Sequence, residues 1–253
     1  MRIARWCAPA ALAAGVLLSS TSAQAAFPNF SDCPRSAPNI VTCLDVQSRS
    51  GSLTIKGFTV PIGESFEIRG GVESTASGEL RLVAPAGTTG IFSKPIQVPG
   101  GLLGINFPIP GNAVTATAEL AGVPSQVKVN VTTLSIRVPL KMRLSNPLIG
   151  PNCHIGSNSS PVNLNLITGT TAPPAPNTPI SGRIGTFSEP EFGVVIFTGN
   201  RNVDNSFSVP GATSCGLGLG LIDQLVNAKL KLPSAGGNNT MIVDSDVAQG
   251  LPF

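Results

Sequence analysis

The chain is poor in the side chains on which most recognisable chemistry rests. It has no Tyr, one Trp and one His, and only 11% of its residues are charged. A serine hydrolase needs a nucleophile, a base and a group to orient the base. The single His, His154, directly follows Cys153, and no G-x-S-x-G turn occurs. No catalytic residue is assigned. There is no C-x-x-C, and one His cannot build a His-rich zinc site, so no metal and no cofactor is expected. Trp6 lies in the first 25 residues, and beyond them Phe is the only aromatic. Sugar and single-stranded nucleic-acid sites lean on Trp or Tyr faces, which weakens both readings. No apolar run reaches the roughly 20 residues of a spanning helix, so no transmembrane helix is expected.

The first 25 residues do carry a signal. Arg2 and Arg5 form a basic start, Cys7 to Leu18 is almost unbroken apolar sequence, and Ala23-Gln24-Ala25 is an A-x-A cleavage site. Residues 1–25 are read as a signal peptide and 26–253 as one disulfide-stapled β domain of an exported protein. The expected location is extracellular, with association with the cell wall as an option. The leader takes two of the 16 basic residues with it, leaving 14 against 13 acidic ones. So balanced a chain demands no polyanion, and no nucleic-acid partner is expected.

Four cysteines follow the leader: Cys33, Cys43, Cys153 and Cys215. An oxidising compartment favours disulfides over a redox site. Four cysteines allow three connectivities, and the spacing does not choose among them. Cys33–Cys43 with Cys153–Cys215 is preferred, because the first pair brackets the turn-forming Pro34, Pro38 and Asn39.

Alternation of apolar and polar residues reads as strand at 66–69, 114–120 and 162–166. Val127, Val129 and Val131 are apolar on odd numbers, and Ile136 to Leu144 on even ones. A period of two cannot change parity without a turn or bulge, so two strands or one kinked strand are expected there. A second change of parity at Gly57 predicts a bulge or tight bend. Arg137, Lys141 and Arg143 line the polar side of the 136–144 stretch and read as a solvated face. Gly169 to Pro179 is Pro-rich and reads as a surface excursion of the domain.

One short helix is expected within 217–231, with Leu221, Ile222, Leu225 and Val226 on one stripe and Pro233 ending it. Residues from Asn238 onward read as a loose tail or an edge strand at Met241–Val243. The fold class is all-β: a mainly antiparallel β-sandwich with one short C-terminal helix, and a barrel as the alternative.

Glu189 with Glu191, and Asp244 with Asp246, have the spacing of neighbours on a strand face. With Asp204 they are the carboxylates from which a glycosidase-like pair would be drawn. Asp244-Ser245-Asp246 could at most hold calcium weakly, since further ligands are missing. Asn29, Asn130, Asn158 and Asn238 begin N-x-S/T sequons, relevant only where asparagine is glycosylated.

One apolar loop remains. Residues 98–111 place Leu102, Leu103, Ile105, Phe107 and Ile109 among turn formers. The loop either plugs the core, the preferred reading, or offers these side chains to a partner or lipid. They are the candidate binding residues of the chain.

The early cysteine pair, the runs PGGLLGINFPIPGNAVTATAELAG (99–122) and NPLIGPNCHIGSNSSPVNLNLITGTTAPPAPN (146–177), and the segments VDNSFSVPGATSCG (203–216) and LIDQLVNAKLKLP (221–233) resemble a family of uncharacterised secreted proteins of actinobacteria. The resemblance implies export and the cysteine framework, and carries no activity, ligand or site residue. The function expected is non-catalytic: binding of an extracellular or envelope partner of unknown identity, or a part in the envelope itself. A secreted hydrolase using carboxylates and a carrier of small ligands or lipids are the alternatives.

Overall fold

The computed structural model describes residues 27–102, 110–122, 125–129, 134–216 and 220–252. The signal peptide expected at residues 1–25 lies outside the described residues. The chain forms strands β1 (Ile40–Ile55), β2 (Phe58–Pro61), β3 (Phe66–Ser74), β4 (Leu80–Val83) and β5 (Ile91–Ser93). There follow β6 (Ile96–Gln97), β7 (Thr115–Leu120), β8 (Ser125–Val129), β9 (Leu134–Ser145), β10 (His154–Ile155) and β11 (Val162–Ile167). Strands β12 (Thr186–Glu191), β13 (Val194–Asp204) and β14 (Ala212–Thr213) precede helix α1 (Leu221–Leu230), and β15 (Asn239–Gly250) comes last.

All pairings between these strands are antiparallel. The fold is all-β with one short helix, as expected. Its strands make one continuous sheet in the order β14-β10-β9-β11-β13-β15-β1-β3-β4. The sheet curls into a half-barrel, so that β4 comes against β8 and β5 against β7. Inward-facing side chains from the whole curl, among them Leu44, Ile68, Val138, Leu164, Val243 and Val247, form the core.

Both parity changes fall between strands that pair with each other. β8 and β9 are separate strands paired with each other. β1 and β2 form a hairpin closed by Lys56 and Gly57, both at positive φ (46° and 85°), the pattern of a type I′ turn. A bulge at Ser48/Ser50 bends β1. The adjacent Gly51 has φ +144°, and a Cβ there would stand 2.2 Å from the Ile242 carbonyl oxygen. Only glycine permits that approach of β1 to β15.

Two expectations need correction. The C-terminal segment is neither a tail nor an edge: β15 lies between β13 and β1 in the middle of the sheet, and Val243, Val247 and Ala248 are buried. Its charges hid this, yet Asp244 is paired with Arg201 (2.7 Å) and Asp246 with Arg49 (2.7 Å) on the neighbouring strands. The helix stripe is also shifted. Val226 is buried and Ile222 half-buried, whereas Leu221 and Leu225 are 65% and 53% exposed.

Both disulfides are those preferred from the sequence, Cys33–Cys43 and Cys153–Cys215. The Pro-rich segment folds back on itself: Thr171 N donates to Ile180 O (2.9 Å), and Asn177 Nδ2 donates to the carbonyls of Asn205 and Asn239 (both 2.9 Å). No helix among the described residues is long and apolar enough to cross a membrane.

Candidate functional site

At one end of the half-barrel the core does not close, and an apolar cavity lies beneath α1. The register of β7 on β9 explains which residues reach it. Ala116 lies opposite Leu144, Ala118 opposite Met142 and Leu120 opposite Leu140. Side chains alternate across a strand, so these pairs share one face. Thr117 and Glu119, opposite Arg143 and Lys141, take the other. Ala116 and Ala118 leave space where larger residues would fill the interior. The β1–β2 hairpin adds Leu53, Ile55, Phe58 and Val60 from across the curl, and Phe207, Val209 and Met241 line the cavity from other parts of the chain.

Helix α1 covers this end with Val226, Leu230 and the stem of Lys229 against the cavity. Three contacts fix it. Asn227 accepts from Ala212 N (2.6 Å) and donates to Ala212 O (3.1 Å). Asp223 accepts from Cys215 N (2.7 Å), beside the disulfide. Lys229 Nζ donates to Leu102 O (2.8 Å), tying the helix to the start of the apolar loop. Burial lowers the Lys229 pKa below that of an ordinary lysine.

The cavity has a volume of about 130 Å³ and opens to solvent at its mouth. Ser93 and Lys229 are the only polar side chains among the described lining residues. So dry a lining suits a hydrocarbon and offers water few partners.

Of the candidate loop residues, Leu102 lines this cavity, half-buried. Leu103, Ile105, Phe107 and Ile109 lie outside the described residues. The rest of the lining was not singled out from the sequence. Its signals were the alternations at 114–120, 136–144 and 162–166 and the parity change at Gly57, and within the first the small Ala116 and Ala118 face inward.

None of the acidic candidates lines the cavity. Glu189 and Glu191 sit on the exposed strand β12, where a register shift between Ser188 and Glu191 breaks the ladder. Asp204 is buried and accepts from Asn165 N (2.7 Å) and Ser206 N (2.9 Å), and burial raises its pKa. Asp244 binds Arg201 and Ser50 Oγ (2.8 Å), and the guanidinium holds its pKa low. Asp246 accepts from Arg49 Nε and Gly199 N (2.8 Å). These bonds brace β15 against β1 and β13. Among the described residues no group of three or more His, Cys, Asp or Glu could hold a metal ion.

His154 Nε2 lies 3.5 Å from Glu119, which also meets Arg143 (3.1 Å) and Lys141 (3.6 Å). This cluster occupies the outer face of β7 and β9, the face opposite the cavity. Arg137 is exposed on the same face, so the 136–144 basic residues form a partly paired surface.

No protein family, curated protein or solved structure was found to match the chain.

Proposed function

We propose that the chain is an exported, non-catalytic protein that binds a long apolar molecule, with the hydrocarbon lying in the cavity beneath α1. The observation that carries this reading is the cavity's lining, apolar apart from Ser93 and Lys229 among the described residues. Burying a methylene contributes about 0.8 kcal/mol, so an acyl chain gains steadily along such a wall. The two disulfides, the apolar leader and the resemblance to secreted actinobacterial proteins support export. The dispersal of the carboxylates into bonds that brace strands argues for binding over hydrolysis.

The test is titration of the purified chain from residue 26 with Nile red, a neutral dye that brightens in apolar surroundings. Saturable binding is expected, and Ala116→Phe, which fills the cavity, is expected to weaken it about tenfold or more. Native mass spectrometry of protein recovered from culture should show a lipid-sized adduct lost in the same variant. Absence of saturable dye binding, or dye binding indifferent to Ala116→Phe, overturns the reading.

A further inference from the structure

The cavity's polar groups bear on the head of the molecule it takes. Among the described lining residues Lys229 alone carries a charge. Its Nζ gives one hydrogen bond, to Leu102 O, and an ammonium has three to give. Lys229 forms no ion pair among the described residues, and burial lowers its pKa. A cation partly withdrawn from water and facing only a carbonyl dipole is under-compensated, and an anion beside it would restore what desolvation removes. The other polar lining residue cannot compete for this role. The Ser93 hydroxyl accepts from Ala118 N (3.1 Å) and lies 3.3 Å from Lys94 O, which takes its proton.

The position also suits a head group. Lys229 stands in the last turn of α1 among the cavity-lining Leu225, Val226 and Leu230, and Leu225 is 53% exposed where the lining meets solvent. The ammonium therefore marks the rim. Its methylene stem runs along the wall, as long cationic side chains do at apolar boundaries.

We infer that the molecule is a fatty acid, its tail in the cavity and its carboxylate received by Lys229 Nζ at the rim. This rests on the cavity reading above, and the experiment separates the two. Palmitate and 1-hexadecanol have the same chain length and differ in head group. Each is used to displace Nile red from the full chain starting at residue 26. Palmitate is expected to compete at least about tenfold better than hexadecanol, the worth of one charge-assisted hydrogen bond. Lys229→Met should abolish that preference by weakening palmitate alone, and Lys229→Arg should retain it.

Equal competition by the two compounds in the unmodified protein overturns the head-group inference and leaves the cavity reading standing. So does a preference for palmitate that survives Lys229→Met. Should neither compound displace the dye, both readings fail together. The comparison in the unmodified protein needs no variant to fold, so the inference stays testable even if Lys229→Met does not.

Discussion

The hydroxyl of Ser93 accepts a hydrogen bond from the amide of Ala118 at 3.1 Å, joining two described strands, β5 and β7, that share no backbone ladder. It is a side-chain stitch across the place where the curled sheet approaches itself, and both residues line the cavity. Replacing Ser93 by Ala leaves an amide without its partner and should cost about 1 kcal/mol. Hydrogen exchange at Ala118 should quicken, while amides of the β1–β15 ladder keep their protection. Unchanged exchange at Ala118 would mean that the stitch contributes nothing.

Gly51→Ala should be among the most damaging single-methyl additions in the chain. The added carbon would meet the Ile242 carbonyl oxygen at 2.2 Å and also oppose a φ of +144°. Relief requires β1 and β15 to part at the bulge, so a loss of about 2–4 kcal/mol is expected in urea denaturation. Gly57→Ala, with nothing within 4 Å of its new methyl, is the control: it should lose only about 1 kcal/mol from its left-handed backbone.

Asp45 gives a pH dependence with a definite sign. It is fully buried, and burial raises its pKa from 3.8 to about 6 even though Asn29 N donates to its Oδ2 (2.7 Å). The folded state holds this proton more tightly than the unfolded one. The group's contribution to stability is therefore fully present below pH 3.8 and is lost as pH rises through about 6. Asp45→Asn keeps an acceptor for Asn29 and removes the buried charge. It should raise stability at pH 7.5 by about 1–2 kcal/mol, after allowance for screening, and change little at pH 3.5. Melting curves of both proteins at the two pH values decide it; an equal shift at both would refute the assignment.

The two disulfides should separate in their effects. Cys153–Cys215 spans 62 residues and Cys33–Cys43 spans 10. Loop entropy assigns them about 4 and about 2.7 kcal/mol. Only the first adjoins the anchor of α1, through Asp223 and Cys215 N. Replacing Cys153 and Cys215 by Ser should thus lower both stability and Nile red affinity, whereas the Cys33/Cys43 double replacement should lower stability alone. Dye affinity falling equally in both would contradict the anchoring role.

The residues that could be read correctly in advance were those whose signal is local. Alternation is legible where a strand shows one face to water. In β11, Val162, Leu164 and Leu166 are buried while Asn163 and Asn165 are exposed. The turn at Gly57 was legible because a change of parity needs only a few neighbouring residues to be seen. The central place of β15 was not. Its Asp244 and Asp246 look like surface residues until Arg201 and Arg49 arrive from strands 43 and 197 positions away. The cavity was hidden in another way: a lining residue and a core residue are both simply apolar in sequence. Leu102 could be noticed as an apolar residue in a loop, but the space beside Ala116 and Ala118 exists only once the sheet has curled.

The placement of β15 also bears on when the protein can fold. It follows every other described strand in the sequence, yet it alone among them pairs with both β13 and β1 and so joins the two halves of the half-barrel into one ladder. Until it is available, β1 and β13 each present a long unpaired edge, and neither half can bury its inward face against the other. Contacts this distant along the chain form late and slowly. An order of strands that withholds the keystone until the last leaves the two halves of the ladder unjoined until that final described strand has been made.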